Sequence, residues 1–374
     1  MSNDSSNLSY WEYTSWFSNV DFTVVGSGIV GLTAAINLKR RYPNSKILVL
    51  ERGWLPNGAS TKNAGFACFG SVSEILADLK AHSEEDVKAL VKMRFEGLKI
   101  LRDLLGDSQV GFELNGGYEV FLNEDKIFEE SLDALGKVNL LLKDVFNKNV
   151  FEIKKNSFEF KGVKNELIYN NLEGQIDTGL MMQSLLKLVH KEGIFILNNF
   201  EFQSYQTGND KVYVKTNHIS FETNQLIIAT NGFASTIIND LKPARAQVLI
   251  TSSIPSLHIK GTFHMHEGYY YFRNIGNRLL FGGGRHLDFD KEYTADMDLN
   301  KAIQNELERI LKHQILPNYD YKIEQRWTGI MGVGSKKQPI IKSIDRNVYC
   351  GVRMGGMGVA IGCLVGKKLS DLIV

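Results

Sequence analysis

Three glycines near the N-terminus have a spacing that binds phosphate groups. Gly26, Gly28 and Gly31 form G-x-G-x-x-G between an apolar run at 23–25 and a helical pattern at 32–38. The first glycine permits a tight turn, the second lets the backbone approach a pyrophosphate, and the third lets the helix pack closely on the strand. Unpaired N–H groups at the start of the helix, around Ile29 and Val30, then face the phosphates.

An acidic residue ends the next apolar strand, which covers residues 47–50. Glu51 lies twenty residues after Gly31, where a carboxylate accepts hydrogen bonds from the two hydroxyl groups of a ribose. We expect Arg52 to lie beside it. Strand, glycine turn, helix and acid in this order predict a bound dinucleotide; a glycine-rich turn in an unrelated sheet is the alternative.

The composition argues against several classes of protein. The chain has 374 residues, enough for two domains, with 43 basic and 42 acidic side chains, a balance that favours neither nucleic acid nor an anionic membrane. No apolar run approaches the roughly 18–20 residues of a membrane span, and the N-terminus lacks the order of a secretory signal. Three scattered cysteines predict no disulfide framework and suit a reducing cytoplasm.

Residues 1–20 are predicted to form an aromatic N-terminal extension. The segment contains five aromatic side chains, Tyr10, Trp11, Tyr13, Trp16 and Phe17. We expect a helix packed on the body of the protein, because a free tail rarely carries so many apolar rings. Packing against a second copy is left open, and with it a homo-oligomer.

A second segment rich in small and hydroxyl residues covers 57–66 and reads NGASTKNAGF. It resembles the G-A-S-x-x-N-x-G loop of the D-amino-acid-oxidase superfamily of flavoproteins, the group of glycine oxidase, sarcosine oxidase and γ-glutamylputrescine oxidase. In that family the loop passes over the FAD pyrophosphate and approaches the isoalloxazine ring. The resemblance implies a phosphate contact for Ser60, and an ordinary polar loop is the alternative. It implies cofactor contacts along the loop, from Ala59, Ser60, Lys62, Asn63, Ala64 and Gly65.

Further segments match the family in the same order along the chain. Residues 225–232 (QLIIATNG) are similar to a strand and glycine turn that close over the cofactor. Residues 326–330 and 338–341 resemble its W-x-G-I and P-I-I-G segments, and 351–359 resemble a glycine-dense turn that opens a helix under the flavin. The resemblance implies FAD contacts from Phe202, Ala229, Thr230, Gly232, Trp327, Gly329, Arg353, Gly355, Gly356, Met357, Gly358 and Val359.

The resemblance also implies the fold and the division of the chain. We expect an α/β (α+β) protein with a Rossmann-like FAD-binding domain interleaved with a substrate domain built on a mostly antiparallel sheet. The discontinuous FAD-binding domain is predicted at residues 21–80, 171–242 and 326–374. The substrate or cap domain is predicted at 81–170 and 243–325, with the first of these forming helices over the active site.

The substrate side is predicted from residues 269–273, which read YYYFR. Alternation places Tyr269, Tyr271 and Arg273 on one face of a strand. Two aromatic rings and a guanidinium suit an amine or amino acid whose carboxylate pairs with the arginine, and sheet packing is the alternative. Arg353 stands where several amino acid oxidases keep a carboxylate-binding arginine, so it is the first candidate for an anchor; an ion pair is its alternative.

Two polar groups nearby receive less specific predictions. The bend at 282–286 (GGGRH) gives Arg285 a structural role. His264, His266 and Glu267 raise the question of a metal, because alternation places both imidazoles on one face. No cysteine or third ligand is visible beside them and the family uses no metal, so none is predicted.

The predicted function is an FAD-dependent oxidoreductase that oxidises the C–N bond of an amine or amino acid by hydride transfer to flavin N5. A neutral amine needs no protein base, and none is identified; oxygen or another compound accepts the electrons. FAD is expected to be noncovalent, because residues 331–337, where sarcosine oxidases attach it, contain no cysteine. The alternative is a dehydrogenase of 2-hydroxy acids or glycerol 3-phosphate with His286 or His82 as its base. A flavoprotein that uses FAD only structurally or as a redox sensor is a weaker one.

Overall fold

The computed structural model describes residues 8–373, and two eight-stranded sheets dominate it. The strands are β1 (Val20–Val25), β2 (Ile47–Glu51), β3 (Phe66–Ala67), β4 (Gly117–Val120), β5 (Phe151–Lys155), β6 (Glu166–Asn170), β7 (Gly174–Gln175), β8 (Phe195–Asn198), β9 (Phe202–Thr207), β10 (Val212–Thr216), β11 (Ser220–Ile228), β12 (Lys242–Thr251), β13 (Thr262–Met265), β14 (Tyr270–Ile275), β15 (Arg278–Gly283), β16 (Ile323–Val333), β17 (Ile340–Asp345) and β18 (Val348–Val352). The helices are α1 (Tyr10–Glu12), α2 (Ile29–Arg41), α3 (Ala59–Lys62), α4 (Val72–Ala81), α5 (Glu84–Leu105), α6 (Asp107–Val110), α7 (Ile127–Leu141), α8 (Lys143–Phe146), α9 (Thr178–Lys191), α10 (Phe289–Glu292), α11 (Lys301–Ile310) and α12 (Gly358–Asp371). Single turns of other helix types occur at Tyr13–Phe17, Asn231–Ala234, Arg285–Leu287 and Leu311–Ile315.

The first sheet is the predicted Rossmann-like sheet. Its strand order is β17-β18-β11-β1-β2-β8, and the five strands from β18 to β8 run parallel. All five residues of β2 are buried, as expected for a parallel strand covered on both faces. The antiparallel strands β9 and β10 extend the sheet beside β11. The predicted Rossmann-like fold of this sheet is therefore confirmed.

The second sheet is mostly antiparallel, as predicted for the substrate domain. Its order is β16-β12-β15-β14-β13-β4-β6-β5, with one parallel pair between β13 and β4. β16 pairs with β12 along most of its length, so residues 326–333, which were predicted in the FAD-binding domain, belong to this second sheet. The cap prediction for 81–170 also missed three strands, β4, β5 and β6, which complete this sheet.

The long helix α5 also departs from the cap prediction, because it packs on α12 of the FAD-binding domain. Gly97 makes the close approach possible: a β-carbon there would overlap the Ala360 carbonyl oxygen and lie 3.0 Å from Ile361 Cα. Leu98 and Leu101 of α5 are buried in the same hydrophobic cluster as Val365 of α12. One face of α5 therefore belongs to the same hydrophobic core as α12.

The aromatic N-terminal segment is helical, as predicted, but only one of its five rings is buried. Phe17 packs 6.0 Å from the Phe200 ring and 5.5 Å from the Phe221 ring. The other four aromatic side chains are 37–73% exposed. Residues 1–7 of the predicted extension lie outside the described residues. Within the described part of the chain, no helix is both long and apolar enough to cross a membrane.

Candidate active site

The glycine turn between β1 and α2 forms one end of the site. A β-carbon on Gly31 would overlap the carbonyl oxygen of Gly26 and lie 3.2 Å from Val24 Cγ1. Gly26 has a φ of +104°, a conformation that favours glycine. The two contacts at Gly31 show that a residue without a β-carbon is needed there for the helix to pack closely on the turn.

Glu51 and Ser60 flank this turn. The Glu51 carboxylate is 6% exposed and accepts hydrogen bonds from Ser27 Oγ at 2.6 Å and from the Gly53 N–H at 2.9 Å. Ser60 Oγ accepts the N–H of Ile29 at 3.0 Å, so the second loop is tied to the first turn of α2. The fold therefore brings together Ser60, the predicted phosphate contact, and Glu51, the predicted ribose contact.

A central cavity of about 800 Å³ extends from this turn to the second sheet. Its volume lies in the range of about 300–1,000 Å³ usual for small-molecule and cofactor sites. Twenty-one of the predicted cofactor residues line it: Gly26, Gly28, Ile29, Val30, Glu51, Arg52, Ala59, Ser60, Lys62, Asn63, Ala64, Gly65, Phe202, Ala229, Thr230, Gly329, Gly355, Gly356, Met357, Gly358 and Val359.

The backbone around the cavity fits an anionic dinucleotide. Helices α2 and α12 both begin at the cavity, at Gly28 and Met357, and neither N-terminus is capped by its own side chain. Apart from the Ile29 N–H, which Ser60 accepts, the first N–H groups of both helices have no side-chain partner among residues 8–373, and they and the positive ends of the helix dipoles face the same space. Two such ends suit a pyrophosphate and an electron-rich ring, the negatively charged parts of FAD.

Three of the predicted cofactor residues support the cavity without lining it. Gly31 packs α2 on the turn. A β-carbon on Gly232 would overlap the Met331 carbonyl oxygen, so this glycine lets the turn after β11 lie against β16. Trp327 donates its indole N–H to the Lys62 carbonyl oxygen at 3.0 Å and holds the second loop in place.

The structure disagrees with Arg353 as a cofactor contact and as the substrate anchor. Its side chain is 8% exposed, does not line the cavity, and pairs with the Asp240 carboxylate. Its Nε donates to the Gln338 carbonyl oxygen at 2.8 Å. The alternative stated for this residue, an ion pair with a nearby acid, is what the fold contains.

Arg273 is also occupied elsewhere. It is buried, and its guanidinium donates to the carbonyl oxygens of Ala64, Ile176 at 2.9 Å and Asn274 at 3.2 Å. Burial lowers the pKa of Arg273 to about 10, which leaves the group charged at neutral pH. The predicted role of Arg273 in substrate binding was therefore wrong. Arg273 instead ties the loop at residues 57–66 to the second sheet.

The two predicted tyrosines do border the cavity. The Tyr271 ring packs edge-on against Phe66, with 5.6 Å between ring centroids, and burial raises the pKa of Tyr271 to about 12. Tyr269 is 38% exposed and lies nearer the solvent. An aromatic wall of Phe66 and Tyr271 thus faces the glycine turns across the cavity.

Helix α4 contributes a polar stripe that the sequence analysis missed. Glu74 and Asp78 lie four residues apart on one face of the helix, and His82 follows its last residue with an extended backbone; all three line the cavity. Asp78 pairs with Lys337 Nζ at 2.5 Å. The signal was present in the spacing, but it became meaningful only once α4 was known to border the cavity.

His264 lies behind this stripe in a network of carboxylates. Its Nε2 is 3.2 Å from Glu173 Oε2, and its Nδ1 is 4.0 Å from Glu74 Oε2. Burial lowers the pKa of His264, but the hydrogen bond and charge of Glu173 and the charge of Glu74 outweigh it and raise the pKa to about 9. Burial raises the pKa of nearby Glu119 to about 7. His264 is therefore a cation at neutral pH.

A cysteine and a carboxylate do lie beside His264, contrary to the sequence analysis. Ligand atoms of Cys68, Glu173 and His264 lie within 4.8 Å of one another. Burial raises the pKa of the Cys68 thiol well above its usual range, and a metal binds the thiolate. His266 is not on the same face, because β13 ends at Met265 and His266 has a φ of +48°. The chemistry of these groups favours an ion pair over a metal.

This network predicts that stability falls as the pH rises. Because the pKa of folded His264 is raised from 6.5 to about 9, its charge stabilises the fold below pH 6.5, and this stabilisation is lost between pH 6.5 and 9. The loss is roughly 3 kcal/mol. Glu119, raised from 4.5 to about 7, acts in the same direction between pH 4.5 and 7.

Urea unfolding midpoints measured across this pH range check the expectation. A His264→Gln variant should show a smaller fall in midpoint between pH 6.5 and 9 than the wild type. Glu119→Gln is the matched control, since it should flatten only the lower window. Equal slopes for wild type and His264→Gln above pH 6.5 would contradict the assigned charge.

Residues 21–372 match the family model described as DAO, FAD dependent oxidoreductase. The chain belongs to this family. It is 23% identical to γ-glutamylputrescine oxidoreductase of Escherichia coli, over 94% of this chain and 83% of that protein. It is also 23% identical to the probable oxidoreductase OrdL of Haemophilus influenzae, over 95% of this chain and 83% of that protein.

Solved structures share the fold of this DAO-family protein. L-proline dehydrogenase from P. horikoshii superimposes with a TM-score of 0.74 at 18% identity, over 95% of this chain and 93% of that chain. Glycine oxidase from Bacillus cereus gives 0.73 at 16% identity, over 95% and 94%. The protein is thus an FAD-dependent oxidoreductase, and the central cavity is the candidate for its cofactor site.

Proposed function

We propose that this protein oxidises the C–N bond of an amine or amino acid. Bound FAD supplies the acceptor of the hydride, at its N5 atom. The α-carbon loses a hydride while the amine lone pair forms the C=N bond, and water converts the imine to a carbonyl compound and ammonia or a smaller amine. The chain's own part is to orient the substrate between the aromatic wall and the glycine turns.

The observation that carries the proposal is the position of His264: its ring nitrogens lie 3.2 Å from Glu173 Oε2 and 4.0 Å from Glu74 Oε2, and these two carboxylates favour its protonated form. Oxidation of a hydroxyl group needs a base to take its proton, and a histidine that is already protonated cannot do so. His82, the other histidine among the described residues that line the cavity, stands between exposed Ala81 and Ser83 at the rim. His286 packs 4.9 Å from the rings of Tyr269 and Tyr270 and does not line the cavity. Amine oxidation avoids the need for a base.

Two further features support this choice over the 2-hydroxy acid or glycerol 3-phosphate alternative. Glu74 lines the cavity, and although burial raises the pKa of Glu74, the charge of His264 and other contacts lower it below its usual value. A carboxylate in the wall attracts an amine and repels a phosphate. Three similar proteins have names that describe action on amines or amino acids: γ-glutamylputrescine oxidoreductase, glycine oxidase and L-amino acid deaminase.

Anaerobic reduction of the bound flavin tests the proposal. The oxidised absorbance should disappear with one class of amine or amino acid, and panels of amines, amino acids and 2-hydroxy acids would identify it. Alanine and 2-aminoisobutyrate form a matched pair for the amino acid arm, because the second lacks the hydrogen that must leave. Reduction by hydroxy acids alone would replace the proposal with the dehydrogenase alternative.

The remaining expectations concern the surroundings of the reaction. Cys68, Cys350 and Cys363 are buried and unpaired, which supports a reducing compartment such as the cytoplasm. Stopped-flow mixing of the reduced protein with oxygen would decide between oxygen and another acceptor. Sedimentation of the full chain would decide whether it forms a homo-oligomer.

A further inference from the structure

Arg285 differs from the other arginines considered for the substrate. It lines the central cavity half-buried, and its guanidinium makes no hydrogen bond and no ion pair with any residue of 8–373. Its Nη1 is buried without a partner, whereas Nε and Nη2, also without a partner among these residues, keep accessible surface. Arg273 and Arg353, by contrast, are fully occupied by carbonyl oxygens or a carboxylate. Arg285 was predicted to have a structural role, but its side chain does not stabilise the described part of the fold through hydrogen bonds.

The glycines before Arg285 place it on the cavity wall. Gly283 has a φ of +118°, and a β-carbon there would overlap the Tyr269 carbonyl oxygen, so β15 can end pressed against the turn before β14. Gly284, also with positive φ, then starts the single turn Arg285–Leu287. The chain therefore turns sharply after β15, and Arg285 lines the cavity instead of continuing the strand.

Aromatic rings hold the guanidinium from one side. Its central carbon lies 4.8 Å from the Phe289 ring centroid and 5.7 Å from that of Tyr293. The Phe289 ring in turn packs edge-on against Tyr269, at 5.9 Å between centroids. Contact with ring faces orients a guanidinium while its N–H groups stay available at the edge.

Two acids that follow Arg285 in the chain are engaged elsewhere. Asp288 pairs with Lys291 at 2.7 Å, and Glu292 pairs with Arg245 at 2.8 Å. A half-buried cation is costly unless an anion pairs with it, and the Nε and Nη2 edge of Arg285 is the part left accessible for one. A carboxylate matches the two-pronged N–H edge of a guanidinium best.

We propose that Arg285 binds the anionic group of the substrate, so that the substrate is an amine that also carries a carboxylate. This inference rests on the proposed function, since it assumes that the substrate occupies the wall of Phe66 and Tyr271. It makes Arg285 a specificity-determining residue. A neutral amine of the same shape would leave the guanidinium unpaired.

Binding of phenylacetate and phenylacetamide to the oxidised holoenzyme tests this without turnover. The two probes share a ring that suits the aromatic wall and differ in charge. Titration is followed by the change in flavin absorbance. The wild type should bind phenylacetate more tightly, and Arg285→Met should weaken it by roughly 10- to 100-fold while leaving phenylacetamide unchanged. Arg285→Lys, which keeps the charge but not the fork, should lie between them.

Arg278→Met is the matched control, because Arg278 stands at the start of the same strand β15 and pairs with exposed Glu324. It should bind both probes like the wild type, and flavin content should be equal in all variants. Equal phenylacetate binding by wild type and Arg285→Met would overturn the assignment, as would a wild type that does not distinguish the probes. Flavin that no amine reduces would instead count against the proposed function, since the probe titration needs no reaction.

Discussion

A Gly31→Ala variant will lose FAD. The added β-carbon would overlap the carbonyl oxygen of Gly26, a backbone atom that cannot move, because Gly26 is itself packed against Ala229. A β-carbon built on Gly26 would lie 2.9 Å from the Ala229 carbonyl oxygen. Helix α2 must therefore shift away from the turn that faces the pyrophosphate. Overpacking of about 3 kcal/mol corresponds to roughly a 100-fold loss of affinity.

The flavin-to-protein ratio after purification and titration of the apoprotein with FAD measure this effect. Gly136→Ala is the control, since a β-carbon at Gly136 meets nothing within 4 Å and the glycine lies in the exposed face of α7. It should keep FAD and gain about 0.5–1 kcal/mol in stability. Unchanged FAD affinity in Gly31→Ala would show that the turn tolerates a displaced helix.

The cofactor half of the site was predictable because its determinants are local. Gly26, Gly31 and Glu51 fall within one strand–helix–strand unit, so their spacing fixes their geometry. The loop around Ser60 comes soon afterwards and reaches the same turn. Arg353 failed because its partner Asp240 lies more than one hundred residues away, and spacing cannot show such a pair.

The substrate half was predicted only in part, for the same reason. Alternation placed Tyr271 correctly on the cavity wall, but it could not show that Arg273, on the same face, passes beneath Ala64. The Glu74 stripe of α4 was visible as a periodicity without a known direction. Arg285 became informative only through what it lacks, which no sequence pattern reveals.

Replacing Arg273 with Met should destabilise the protein and loosen its hold on FAD together. The arginine is the shared donor to three buried carbonyl oxygens, on Ala64, Ile176 and Asn274. Methionine fills similar space but donates nothing, and each buried acceptor left unpaired costs about 1–3 kcal/mol. Relief of the burial cost of the charge offsets part of this, so we expect a net loss of about 3 kcal/mol.

The FAD effect follows because the Ala64 carbonyl belongs to the loop that lines the cavity. Urea unfolding of the apoprotein measures the stability, and FAD titration of the same sample measures the affinity. Arg278→Met removes an arginine from the neighbouring strand β15, where it pairs with Glu324 at the surface and donates to the Thr251 carbonyl oxygen at 3.0 Å, and should cost about 1–2 kcal/mol. If Arg273→Met lost stability but kept wild-type FAD affinity, the guanidinium would support only the sheet, and the Trp327 hydrogen bond would be enough to hold the loop at residues 57–66.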